Sequence, residues 1–243
     1  MAERLIEAGV LAVGIAIGGA LIGNGFARAK GADRYVTVKG VTEREVRADL
    51  AIWPLHVVAA DNDLNLAHAK LEKSIAGVRR FLAMQGLDTT KIELTGFSVS
   101  DAQAAEFGEQ RRTNRYIVKQ NVILRSPDVD KVLAASQKVG DLAALGVSLS
   151  SGGEGGPDGG GPTFIFSGLN ALKPPMIAEA TAHAREAADQ FARDSHSSLG
   201  GIRQANQGVF EILPRDEAPG ITEGSQVSKR VRVVSTVDYF LKN

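Results

Sequence analysis

From Leu5 to Phe26 the chain reads LIEAGVLAVGIAIGGALIGNGF, apolar or small nearly throughout, with one charge, Glu7, near its start. As a helix these about 22 residues reach ~33 Å, which matches the ~30 Å hydrocarbon core of a bilayer. Such a segment must be removed, inserted in lipid, or packed against copies of itself. The remainder after Ala27 reads as an ordinary water-facing domain, so the expected division is an N-terminal segment over residues 1–30 and one body over residues 31–243.

Three readings of the segment follow. Ala27-Arg28-Ala29 fits the small-x-small pattern of signal cleavage. Against cleavage, Arg4 is nearly neutralised by Glu3 and Glu7, and the apolar run exceeds the usual ~7–15 residues of a signal core. The second reading is an uncleaved signal-anchor. The third is a helix that packs on itself: Gly14 and Gly18 form one G-x-x-x-G pair, and Gly19 and Gly23 another. In lipid, such pairs let two helix backbones approach closely enough for dispersion to hold them. Gly14, Gly18, Gly19 and Gly23 are therefore the expected packing residues. Arg28, Lys30 and Arg34 follow the helix, and the positive-inside rule would keep the body cytoplasmic, in conflict with export.

Lys and Arg together number 28, as do Asp and Glu, so no basic footprint for nucleic acid exists and no nucleic-acid partner is expected. The absence of cysteine excludes disulfides, thiolate catalysis and Cys-zinc sites.

Along the body, YVTVKG from Tyr35 alternates as a strand, Thr42–Arg47 reads as a charged link, and ADLAIWPLHVVAAD reads as a second strand. Pro54 lacks a donor, which suggests an edge or a bulge. Asp61 to Gly86 predicts a helix: Leu64, Ala67, Leu71, Ile75, Val78 and Leu82 recur at helical spacing, with Lys70, Lys73 and Arg80 on the wet face. Lys91–Ser100 and Tyr116–Arg125 predict paired strands. One helix is expected from Ser126 or Asp128 through Leu145, and Val147–Ser150 opens a strand. After the Gly-rich SGGEGGPDGGGP come a strand at TFIFSGL and a helix beginning at Pro174-Pro175, where proline suits a first turn. That helix runs to about Leu199, with Ile177, Ala180, Ala184, Ala188 and Phe191 as its buried stripe. IRQANQGVFEIL and RVRVVSTVDYFL close the chain as strands. The fold class is α+β: an N-terminal membrane-type helix, then antiparallel or mixed sheets packed against three main helices.

The residues form no reaction centre. His56, His68, His183 and His196 stand in no metal-ligand spacing, and G-x-S-x-G is absent. The Gly-rich loop lacks the lysine of a phosphate cradle, and its Glu154 and Asp158 would repel a phosphate. Glu43, Glu45 and Asp49 read as a solvated strand edge; Arg111, Arg112 and Arg115 read as a solvated loop, with a salt bridge between subunits or an anionic head group as the sharper reading. No catalytic, metal-ligating or cofactor-binding residue is expected.

VTVKGVTEREVRADLAIWPLHV is a strand ending in glycine that leads through a charged link into a second strand. FIFSGLNALKPPMIAEATAHAREAADQFARDSHSSLGGIRQANQ joins a strand, an Ala-rich helix and a glycine pair, and VRVVSTVDYFL closes the chain by alternation. Over Tyr35 to Leu241 the chain resembles the SIMPL-domain family of exported bacterial proteins. The resemblance implies an α+β body, a cell-envelope location, large ring- or cage-like homo-oligomers and a link to oxidative-stress defence. It implies no catalytic residues. The long first segment and the expanded glycine loop depart from the usual pattern. The expectation is a non-enzymatic envelope protein whose partners are itself and a membrane, periplasmic and anchored to the inner membrane. A cleaved periplasmic form, and a binding module for stress-damaged proteins or a small ligand, are the alternatives.

Overall fold

A computed structural model of the protein describes residues 14–23, 34–103, 114–150 and 161–242. Residues 14–23 are helical. The remainder forms eight strands and four α-helices in two sheets, with every register below antiparallel. This is the α+β class that the alternation of periods predicts. The chain divides into two compact units, one from residues 1–43, 173–210 and 232–243 and the other from residues 44–172 and 211–231.

The larger unit is built on a sheet in the order β3-β4-β2-β5: β2 (Leu50–Asp61), β3 (Ile92–Asp101), β4 (Tyr116–Ser126) and β5 (Thr163–Ile165). Alternation decides its faces. Ala51, Trp53, Leu55 and Val57 of β2 are buried, and the register sets Trp53 opposite Leu124 and Leu55 opposite Val122. Helix α1 (Leu64–Met84) covers this face with Ala67, Leu71, Ile75, Val78, Phe81 and Leu82. Asp63 starts the helix, its carboxylate accepting from the backbone of Asn65 at 2.7 Å and Leu66 at 3.1 Å. Gly86, at φ 71°, turns the chain out of it. Leu64, placed in the buried stripe by its spacing, is exposed; it opens the helix, and the covered face begins at Ala67.

Pro54 occupies a gap in the pairing along one side of β2. β5 pairs only with Leu50–Ile52, and the bridge of Val57 to Leu149 resumes further on, so a missing N–H at Pro54 leaves no ladder broken there. The single helix expected through Leu145 is two, α2 (Val129–Gln137) and α3 (Asp141–Ala144). Between them the backbone of Val139 bonds Ser136, and that of Asp141 bonds Lys138, in tight three-residue steps ending at Gly140.

The smaller unit holds the first part of β1 (Tyr35–Arg47), most of α4 (Leu169–Asp194), β6 (Ser198–Gln207) and the last part of β8 (Ser228–Lys242). Strand order is β1-β8-β6, and β7 (Glu211–Pro214) also pairs with β8. The charged link at Thr42–Arg47 is not a link: β1 runs through it. Thr42 is buried and Glu43, Glu45 and Arg47 alternate with it onto the exposed side, while Arg44 shares the side of Thr42 and is half-buried. Helix α4 lays Ala180, Ala184 and Ala188 against this sheet, with Val36, Val237 and Tyr239 completing the cluster.

Two expectations for α4 are corrected. It begins at Leu169, so Pro174 and Pro175 lie inside it. The carbonyls of Asn170 and Ala171 lose their helical donors, but both residues are exposed and water can supply the bonds. Phe191 is 51% exposed, because the buried stripe keeps a spacing of four through Ala188 to Ala192 and Phe191 falls one position off it.

Candidate functional site

Gly14, Gly18, Gly19 and Gly23 all fall in the described helix 14–23. A Cβ built at any of them meets nothing within 4 Å. Around them Ile15, Ile17, Leu21 and Ile22 are exposed. The four glycines are thus together on an apolar helix that nothing covers among the described residues. Among the described residues, no helix is long and apolar enough to cross a membrane, so the expected spanning helix is not confirmed. The charges at Arg28 and Lys30 and the glycine loop over residues 151–160 lie outside the described residues.

The histidines do not converge. His56 donates from Nδ1 to Asn121 Oδ1 at 2.7 Å, across the β2–β4 register. His68 meets the Phe97 ring edge-on at 6.1 Å. His183 bonds the Val41 carbonyl at 2.9 Å, and His196 takes a left-handed φ of 53° in the turn after α4. No group of three or more metal-ligating side chains gathers among the described residues.

Asp49, Glu43 and Arg115 of the charged clusters make bonds within the chain. Asp49 accepts from the backbone and hydroxyl of Ser167, at 3.0 and 2.8 Å, and so ties the start of β2 to the chain after β5. Glu43 pairs with Arg232 at 3.5 Å. Arg115 forks onto Asp101 at 3.0 Å, which holds its guanidinium still more firmly protonated, and lies over the Tyr116 ring. Arg111 and Arg112 are outside the described residues.

Two features are not evident from the sequence. Lys229 is completely buried and pairs with both the carboxylate and the backbone carbonyl of Glu223. Its signal is phase: it shares the inward alternation of β8 with Val231 and Val233. The other is a cleft of about 570 Å³ in the larger unit. Its walls are Lys70, Lys73 and Ser74 of α1, the end of β2 at Val58–Ala60, Asn114, and the turn Leu145–Ser148. The helical spacing of Lys70 and Lys73 places them on one exposed side, but only the fold brings the turn after α3 against them.

Among the described residues, nothing pairs with the outer edges of β3 and β6. β3 and β6 end their sheets, and both are exposed along almost their whole length. Leu94 and Val99 face the same side as their buried partners Val122 and Val118, yet remain 40% and 45% exposed. Phe97 stands beside them at a bulge that Gly96 opens with φ 61°. Ile202 is the corresponding exposed residue on β6.

These features define an α+β protein of antiparallel sheets with open edges, its helices bearing alanine and aliphatic stripes. The chain belongs to the SIMPL family: the family described as "SIMPL: Protein of unknown function (DUF541)" matches residues 36–235. No curated protein matches the chain. Two solved structures are similar at low level. One is the crystal structure of the regulatory subunit of aspartate kinase from Thermus flavus, 13% identical over 83% of this chain and 89% of that one, with a TM-score of 0.19. The other is the crystal structure of an uncharacterized conserved protein from Listeria innocua, 14% identical over 79% of this chain and 91% of that one, with a TM-score of 0.17.

Proposed function

We propose that this protein is a non-enzymatic, self-assembling component of the cell envelope, held to the inner membrane by its N-terminal helix with the body on the periplasmic side, and serving stress defence. The observation that carries the reading is the uncovered apolar surface of residues 14–23, where Ile15, Ile17, Leu21 and Ile22 are all more than half exposed. Water does not tolerate such a contiguous surface without a partner. The open edges of β3 and β6 support assembly, since an unprotected edge offers unpaired backbone donors and acceptors to another strand.

Light scattering of the full chain in mild detergent, with N-terminal sequencing, tests it. An oligomer whose chains begin near Met1 is expected. A monomer at micromolar concentration overturns assembly, and a chain beginning at Lys30 overturns the anchor in favour of a cleaved periplasmic form.

A second reading, a chaperone-like module for damaged proteins, draws on the apolar group Leu94, Phe97 and Val99. It expects suppression of aggregation of a model client and loss of that effect in Phe97→Ser. An unchanged rate of client aggregation removes it.

A further inference from the structure

The cleft beside α1 has no part in the assembly reading. Its charges are unequal. Lys70 Nζ lies 2.5 Å from Asp61 Oδ2 and is balanced by that carboxylate. Lys73, one helical turn on, makes no hydrogen bond or ion pair with any described residue. Among the described residues, the cleft therefore carries one ammonium that no carboxylate pairs. Asn114, Ser74 and Ser148 add polar groups to the same walls.

The other wall is the end of β2 at Val58–Ala60 and Leu145 after α3. Ala59, in phase with Val57, turns its methyl to the α1 side of the sheet, and Leu145 adds an aliphatic side chain. The wall is held rigidly: the backbone of Val58 donates to Ser148 at 3.1 Å, and that of Ser150 to His56 at 2.9 Å. Gly77 keeps the helix close to the turn, since a Cβ there would stand 2.7 Å from a Val147 methyl. At about 570 Å³ the space falls within the ~300–1,000 Å³ range of small-molecule sites.

We propose that this cleft binds a small organic monocarboxylate, its carboxylate against Lys73 and its apolar body along Ala59 and Leu145. One unbalanced ammonium matches one negative charge. A phosphate group carries about −1.5 to −2 at neutral pH and would exceed it. A neutral apolar molecule would leave the ammonium to be desolvated without a counter-charge.

The test is calorimetric titration of the full-length protein in detergent with hexanoate, hexan-1-ol and inorganic phosphate. Hexanoate binds saturably, and the alcohol and phosphate bind at least about tenfold more weakly, a difference of ~1.4 kcal/mol. Lys73→Met lowers hexanoate affinity by about tenfold or more while Lys73→Arg stays within about threefold, both with unchanged melting temperature. Lys73 is exposed on its helix, so neither variant threatens folding. Three results overturn the proposal: no saturable hexanoate binding, equal binding of the alcohol, or an affinity indifferent to Lys73→Met. Phosphate binding as tightly as hexanoate overturns the carboxylate assignment in favour of an inorganic oxyanion. None of these outcomes touches the oligomeric mass, so the assembly reading stands or falls separately.

Discussion

Gly40 of β1 lies against the main chain of α4 at Ala180, so closely that a Cβ at position 40 would stand 1.8 Å from the Ala180 carbonyl oxygen and 2.5 Å from the Ala184 nitrogen. Strand and helix touch backbone to backbone here, and the alanine stripe is what lets the helix descend that far.

Gly40→Ala should therefore unseat α4 from its sheet. The clash is with helix backbone, which cannot rotate away as a side chain would. The expected loss is about 3 kcal/mol or more, at the upper end for overpacking. Chemical denaturation measures it, and a loss below about 1 kcal/mol would show that the helix shifts at little cost.

Two phenylalanines on helices should behave oppositely. Phe81 is fully buried and meets Trp53 edge-on with ring centroids 6.4 Å apart. Phe81→Ala is expected to cost about 3–5 kcal/mol and to change the emission of Trp53, the sole tryptophan. Phe191→Ala should cost under about 1 kcal/mol, as for an exposed side chain. Similar losses from both would place the α4 stripe on the wrong face.

The Lys229–Glu223 pair predicts an asymmetry. Glu223→Ala strips the carboxylate from a buried ammonium and should destabilise by about 1–3 kcal/mol, moderated because Glu223 is partly in solvent. Lys229→Met removes the buried charge and keeps its aliphatic volume, so its effect should lie within about 1 kcal/mol of zero. Thermal unfolding of the two variants side by side decides it. Equal losses would show that the pair stabilises beyond the desolvation of its lysine.

Acid should loosen the turns at Asp61 and Asp88. The Lys70 ammonium, with backbone donors, holds Asp61 below its ordinary 3.8, and the Thr90 hydroxyl and backbone do the same for Asp88. A carboxyl whose pKa falls on folding binds fewer protons folded than unfolded. Its stabilisation is present above pH ~3.8 and is lost as pH falls through the lower folded value. Unfolding curves between pH 5 and about 2 should show this decline, with a shallower slope in Asp61→Asn. An unchanged slope in that variant would falsify the assignment.

Gly18→Leu and Gly19→Leu probe the N-terminal helix. Added bulk would separate two packed backbones without lowering hydrophobicity, so membrane attachment should persist while helix crosslinking falls. Crosslinking equal to that of the unaltered chain would leave assembly to the body alone.

What local order dictates is legible in the amino-acid sequence. The period of two in β8 and β2, and the period of three to four in α1 out to its stop at Gly86, depend on near neighbours, and they stand where the sequence places them. So does the SIMPL likeness, which rests on the order of those same elements. Local signals mislead where they conflict with packing. Two prolines resemble a helix start, although exposed carbonyls let the helix run through them. Phe191 resembles core by its hydrophobicity, although the spacing of the alanines turns it outward.

Which segments alternate, which coil and which carry apolar surface follows from neighbours within a few positions, so the order of residues alone settles these properties. The same order marks Gly14, Gly18, Gly19 and Gly23 as a set. It takes the folded chain to set Lys73 facing the turn after α3, to bring Lys229 to Glu223 in the interior, and to press Gly40 against Ala180. Those contacts arise from the packing of whole elements, and their energies come from burial and close approach, which no periodicity encodes.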